Sequence, residues 1–273
     1  MDFSEIKGVI LDMDGVLWRG DYPLLDLPDF FSRLKSLGLQ VVLATNNSTR
    51  SVPQYLEKLN GFEVVLGPEN IVTSSMAAAS YLSQKYPSGA PVYVIGEIGL
   101  KDTLREWGFY YSEAEKDVVA VVAGLDRNLN YHILTRGVQL IYHGAEFIGT
   151  NPDRTFPSPS GLTPGTGALL AFIQAATGRD PIVMGKPEPY LFQLSLQRMG
   201  LTSSQVLVVG DRLDTDILGA QRIGCKSVLV LTGVTTPQEI AVPNPAQPHS
   251  IVPDFILNNV EELPGLISNA DEI

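Results

Sequence analysis

Four residues near the start of the chain, Gly8-Val9-Ile10-Leu11, run without interruption into Asp12-Met13-Asp14-Gly15. A short apolar run closed by glycine reads as a strand buried on both faces, which is the hallmark of a parallel sheet. Carboxylates do not belong inside such a strand, so Asp12 and Asp14 are expected at its C-terminal end, where open α/β sheets bind ligands. In extended chain a spacing of two puts both side chains on one side. Two converging carboxylates repel each other unless something neutralises them, and a divalent cation with oxygen ligands, Mg²⁺ above all, does so. The competing reading is a strand followed by an Asp-Gly turn with both acids in water.

The same pattern recurs along the chain. Val41-Val42-Leu43-Ala44 runs into Thr45-Asn46-Asn47-Ser48, Ile182-Val183-Met184 into Gly185-Lys186-Pro187, and Val206-Leu207-Val208-Val209 into Gly210-Asp211-Arg212-Leu213-Asp214-Thr215-Asp216. Helical spacing separates these strands, as in Leu27, Phe30, Phe31, Leu34 and Leu37, so the alternation is βαβα and the fold class α/β with a parallel sheet. A Pro/Gly-rich crossing at Tyr86–Pro91 and another at Gly178–Pro181 bracket a second βα series. The expected organisation is therefore a Rossmann-like core from 1–80 and 181–273, interrupted by an inserted α/β cap domain from 81–180. Insertions of that size are tolerated at exposed loops whose ends lie close together. Thr150–Gly161 holds three prolines and reads as a loop.

All four polar signatures are expected on one edge of the core sheet. Thr45, Asn46 and Lys186 offer donors suited to phosphate oxygens, Asp211 adds a third carboxylate for a metal, and Asp216 can hold a metal-bound water or orient Lys186. Taken singly, Thr45–Ser48 also reads as a helix N-cap and Gly185-Lys186-Pro187 as a surface turn.

The partners are bounded by charge. The 273 residues carry a formal net charge of −11, which argues against nucleic acid and anionic membrane surfaces as general partners. A single cysteine, Cys225, excludes an intrachain disulfide and fits a reducing, cytoplasmic setting. It lies in an apolar context and reads as a small core residue. No signal peptide or apolar run of membrane-spanning length is evident.

Asp12-Met13-Asp14-Gly15-Val16, Thr45-Asn46-Asn47, Gly185-Lys186-Pro187 and Gly210–Asp216 resemble, in order, the four motifs of the haloacid dehalogenase superfamily. Asn151-Pro152-Asp153, Pro164–Gly167 and Leu231–Val234 resemble its large-capped subgroup, which includes NagD-type, p-nitrophenyl, phosphoglycolate and pyridoxal phosphate phosphatases. The resemblance spans essentially the whole chain. It implies a Mg²⁺-dependent phosphatase acting on a small phosphorylated metabolite. In that reading Asp12 is the nucleophile that forms an aspartyl-phosphate, and Asp14 is the acid and base. Mg²⁺ is held by Asp12, the Asp14 backbone carbonyl and Asp211; Thr45, Asn46 and Lys186 hold the phosphoryl oxygens, with Asn47 and Asp216 in support. An aspartate two residues after the nucleophile favours hydrolysis over a long-lived phosphoenzyme. Two alternatives stay open, a sugar-phosphate mutase of the same superfamily and a catalytically idle phospho-ligand-binding protein. In the cap loop Arg154 is a candidate for a second anionic group of the substrate and Phe156 for stacking on a planar one. The cap is expected to act as a lid, and a homodimer through it is left open.

Overall fold

The computed structural model describes residues 3, 5–111, 117–158, 161–241 and 251–268. Its strands are β1 (Gly8–Leu11), β2 (Trp18–Arg19), β3 (Tyr22–Pro23), β4 (Gln40–Thr45), β5 (Ile71–Thr73), β6 (Pro91–Ile95), β7 (Tyr110–Tyr111) and β8 (Ala120–Ala123). These are followed by β9 (Glu146–Gly149), β10 (Thr155–Ser158), β11 (Gly161–Pro164), β12 (Ile182–Val183), β13 (Val206–Gly210), β14 (Lys226–Val230) and β15 (Phe255–Leu257). The helices used below are α1 (Leu27–Ser36), α2 (Val52–Gly61), α3 (Ser74–Ser83), α4 (Ile98–Glu106), α5 (Tyr131–Tyr142) and α6 (Thr166–Thr177).

The chain divides into two compact units. The first comprises Met1–Thr45, Leu56–Val72 and Phe192–Ile273. Its six-stranded sheet has the order β15-β14-β13-β1-β4-β5, with β1 parallel to both β4 and β13. All four residues of β1 and all five of β13 are buried, which is why both read as unbroken apolar runs. Helix α1 starts where Asp26 accepts a hydrogen bond from Asp29 N at 3.1 Å, a side-chain cap on an otherwise orphaned donor. Trp18–Arg19, which reads as a polar turn, instead pairs with Tyr22–Pro23 in a small hairpin. Trp18 itself is fully buried.

The second unit comprises Asn46–Tyr55 and Thr73–Leu191. Its parallel sheet has the order β12-β9-β8-β6-β7. Helices α5 and α6 pack on it through a core that includes Tyr93, Ile95, Val121, Phe147, Leu170 and Ile173, and α6 ends at Gly178 in the left-handed conformation. Two sequence expectations are corrected here. Ile182–Val183, expected in the core sheet, pairs with β9 of the second sheet, Ile182 opposite Ile148. A two-residue, half-buried strand carries too little pattern to say which sheet it joins. The proline-rich stretch after Thr150 is also not a plain loop. Thr155–Ser158 and Gly161–Pro164 form an antiparallel hairpin, with Phe156 opposite Thr163; Pro159 and Ser160 lie outside the described residues. Among the described residues no helix is long and apolar enough to cross a membrane.

Candidate active site

In the first unit the carboxylates sit where strand order requires. Leu11 pairs with Val209 and with Leu43, and Asp12 N continues the ladder by donating to Val209 O at 2.9 Å. Asp12, Thr45 and Asp211 therefore emerge at the same edge, from the ends of three adjacent strands. Thr45 and Asp211 are almost fully buried. After Asp12 the chain makes one tight turn, in which Leu17 N donates to Met13 O at 2.9 Å and Gly15 N to Trp18 O at 2.8 Å. Gly15 occupies φ +91°, a conformation that costs glycine little and other residues much.

Asp211 is held in a cradle lined by glycine. Val234 N donates to its Oδ2 at 2.7 Å, and Thr235 N donates to its backbone carbonyl at 3.1 Å. A Cβ added at Gly233 would overlap the Asp211 carboxylate, and one at Gly15 would approach its Oδ2 to 2.7 Å. Thr232 Oγ1 donates to Gly15 O at 2.6 Å and Arg19 Nη2 to Thr232 O at 2.7 Å, so the two glycine-bearing loops are tied together. Asp216, also buried, accepts from Arg212 N at 3.2 Å and packs where Gly210 leaves no room for a Cβ. Asp214 pairs with the Arg212 side chain at 2.9 Å.

Carboxylate oxygens at neighbouring strand ends suit a hard divalent cation, and the absent Cβ atoms at Gly15 and Gly233 let the Asp211 carboxylate pack against both loops. Among the described residues no group of three or more His, Cys, Asp or Glu side chains is gathered as a metal cluster. Asp14 Oδ1 accepts from the Trp18 indole Nε1 at 3.0 Å, which engages its carboxylate.

In the second unit Lys186 is buried and held by its backbone. Asn46 Oδ1 accepts from Lys186 N at 2.7 Å, while Asn46 Nδ2 donates to Lys186 O at 3.0 Å and to Asp153 Oδ2 at 3.3 Å. Both amide hydrogens have partners, and with Oδ1 they make the Asn46 side chain a clamp on Lys186. Asn151 Nδ2 donates to Asn46 O at 2.8 Å and to Thr166 Oγ1 at 3.2 Å. Asn47 Oδ1 accepts from Thr49 N at 2.9 Å, which closes the turn. Thr150 Oγ1 donates to Ser48 Oγ at 3.2 Å, and Ser48 lies against Gly124 where a side chain would collide.

Arg154 is exposed and Phe156 half-buried. The turn before them is fixed by Gly165 N to Arg154 O at 2.8 Å and Gly167 N to Asp153 O at 2.8 Å, and a Cβ on either glycine would overlap this backbone. Sequence reasoning missed the contributions of Trp18, Ser48, Asn151, Asp153 and Gly233. The signal was present in Asn151-Pro152-Asp153 and Thr232-Gly233-Val234, both noted as motifs without a role. Cys225 is a buried core thiol whose ionisation burial pushes up to about 12.

The chain is similar to known hydrolases along most of its length. Residues 9–110 match the family described as haloacid dehalogenase-like hydrolase, and residues 183–263 match one described as HAD-hydrolase-like. The chain is 37% identical over 237 residues to an acid sugar phosphatase of Staphylococcus aureus, covering 87% of this chain and 91% of that one. The p-nitrophenyl phosphatase of Archaeoglobus fulgidus superposes with a TM-score of 0.88 at 34% identity, over 96% of this chain and 99% of that one. A glycerol phosphate phosphatase of Mycobacterium tuberculosis in complex with magnesium superposes with a TM-score of 0.85 at 30% identity, over 96% and 78% of the two chains.

Proposed function

This chain belongs to the haloacid dehalogenase-like hydrolases and is a phosphoric monoester hydrolase, and from that premise we propose that it cleaves small phosphate monoesters with Mg²⁺ through an aspartyl-phosphate on Asp12. The observation that carries the reading is the placement of Asp12 and Asp211 at the ends of adjacent parallel strands, with Asp211 in a glycine cradle.

Each residue has a task in this reading. Asp12 attacks phosphorus. Asp14 gives a proton to the departing ester oxygen and later takes one from water. Thr45, Asn46 and Lys186 hold phosphoryl oxygens, Asn46 also fixing Lys186, while Asn47 shapes its turn and Asp216 braces the loop that carries Asp211. Asp12, the Asp14 carbonyl and Asp211 would hold Mg²⁺. When bound, it offsets the repulsion between a carboxylate nucleophile and a phosphate dianion. Phosphoryl transfer asks mainly for such positioning and charge neutralisation. Sugar and glycerol phosphates, the substrate classes in the names of two relatives, are the substrates to try first. One buried cysteine suits a cytoplasmic setting.

The test is a Mg²⁺-dependent screen over sugar phosphates, glycerol phosphate, phosphoglycolate, pyridoxal phosphate, nucleoside monophosphates and p-nitrophenyl phosphate, run beside Asp12→Asn. Wild type should turn over part of the panel and lose that activity in excess EDTA. Asp12→Asn should fold normally and retain under about 1% of turnover, since removal of a covalent nucleophile costs many orders of rate. Retention of substantial turnover by the variant would reject Asp12 as nucleophile.

A further inference from the structure

Trp18 is wholly buried, and a buried indole N–H needs a partner. Its partner is the carboxylate four residues earlier, with Nε1 to Asp14 Oδ1 at 3.0 Å. The tight turn brings the two residues together. Gly15 N donates to Trp18 O at 2.8 Å and Trp18 N to Met13 O at 3.3 Å, so the two residues face each other across a bridge. The far side of the indole is fixed as well. Lys58 Nζ lies 4.3 Å from the ring centroid and donates to Gly20 O at 2.6 Å, while Phe62 tilts against the ring at 5.9 Å. The indole therefore has one orientation, and its nitrogen is a donor only.

From this we infer that Trp18 is a positioning residue for Asp14: its indole N–H holds Oδ1 and fixes the carboxyl plane, so that both proton transfers run through a carboxyl group of set orientation. The inference rests on the acid/base role proposed for Asp14. In the first step an Asp12 oxygen bonds to phosphorus as the bond from phosphorus to the ester oxygen breaks. The electron pair stays on that oxygen, which takes the Asp14 proton and leaves as the alcohol. In the second step water oxygen bonds to phosphorus and the bond to Asp12 breaks, its electron pair returning to the carboxylate. The water proton goes to Asp14, which restores the acid.

Leaving-group dependence separates positioning from simple core filling. An alkoxide needs the proton to leave, whereas p-nitrophenolate departs without it. The quantity to compare is kcat/KM, because it covers only steps up to the phosphoenzyme and omits the water step common to both substrates. At saturating Mg²⁺, Trp18→Phe should lower the ratio of kcat/KM for glycerol 3-phosphate to that for p-nitrophenyl phosphate by about 10- to 100-fold. An unchanged ratio, whether both values fall or neither does, overturns the inference. A wild-type enzyme inactive on every ester overturns the reading of the site, and this inference with it. Should Trp18→Phe fail to fold, the indole proton itself reports. The chain has two tryptophans, and Asp14→Ala should move the Trp18 indole proton resonance upfield and speed its exchange while leaving that of Trp107 in place. A Trp18 resonance unmoved by Asp14→Ala overturns the inference equally.

Discussion

Asn46 grips Lys186 at both ends of one residue, accepting from its backbone N–H at 2.7 Å and donating to its backbone carbonyl at 3.0 Å across 140 positions of sequence. An unpaired buried backbone group costs about 1–3 kcal/mol. Asn46→Ala should therefore lower the thermal midpoint by several degrees. It should also weaken competitive inhibition by inorganic phosphate, because Lys186 loses its fixed position. A variant with wild-type melting and phosphate inhibition would show the clamp to be dispensable.

Gly233→Ala tests the metal assignment without touching a ligand. The added methyl would overlap the Asp211 carboxylate, which must then shift. Because the proposed Mg²⁺ set depends on that carboxylate, the Mg²⁺ concentration for half-maximal activity should rise at least about tenfold, the scale for mispositioned ligand support. Far-UV circular dichroism should be unchanged. An unaltered Mg²⁺ titration would place the metal elsewhere.

Arg127 holds Glu97 through Nε at 2.7 Å and Nη2 at 2.6 Å, and these bonds lower the Glu97 carboxyl below its ordinary value. A depressed acid adds stability that is present above its ordinary value and is lost as pH falls through the lower folded value. Arg127 is largely exposed, so screening limits the contribution to about 1 kcal/mol or less. Glu97→Gln should melt slightly below wild type at pH 7, and the two curves should converge in acid. A difference that grows as pH falls would contradict the assignment.

We propose that Arg154 and Phe156, beside and on the hairpin of β10 and β11, govern choice among substrates. Arg154→Ala and Phe156→Ala should reorder the ranking of natural phosphate esters and leave the rate on p-nitrophenyl phosphate within several-fold. Equal loss on all substrates would assign these residues to fold or chemistry instead.

Much of this was legible in the chain. The strands β1, β4 and β13 announce themselves because burial on both faces demands unbroken apolar runs, and Asp12, Thr45 and Asp211 follow from where those runs stop. What was not legible depends on contacts far apart in sequence. Nothing local to Ile182-Val183 says that it joins β9. Nothing local to Asn46 says that its side chain also grips the backbone of Lys186, 140 positions away. Trp18 sits beside charged and turn-forming neighbours, which makes a fully buried indole read as part of a polar turn. Gly233 is an ordinary loop glycine until the Asp211 carboxylate is placed against it.

The stretch Asn46–Tyr55 is separated from the rest of the second unit by Leu56–Val72 of the first, yet belongs to the second. Asn151 and Ser74 donate to the Asn46 carbonyl, Gly99 N donates to Thr49 O at 3.3 Å, and Ser48 fills the place left by Gly124. This unit is consequently not a cassette. A chimera that exchanges only a contiguous piece such as 81–180 between relatives would seat a foreign sheet on a native Asn46–Tyr55 strip, and any residue larger than glycine brought in at 124 would meet Ser48. Recombination that respects this fold must move two pieces of chain together.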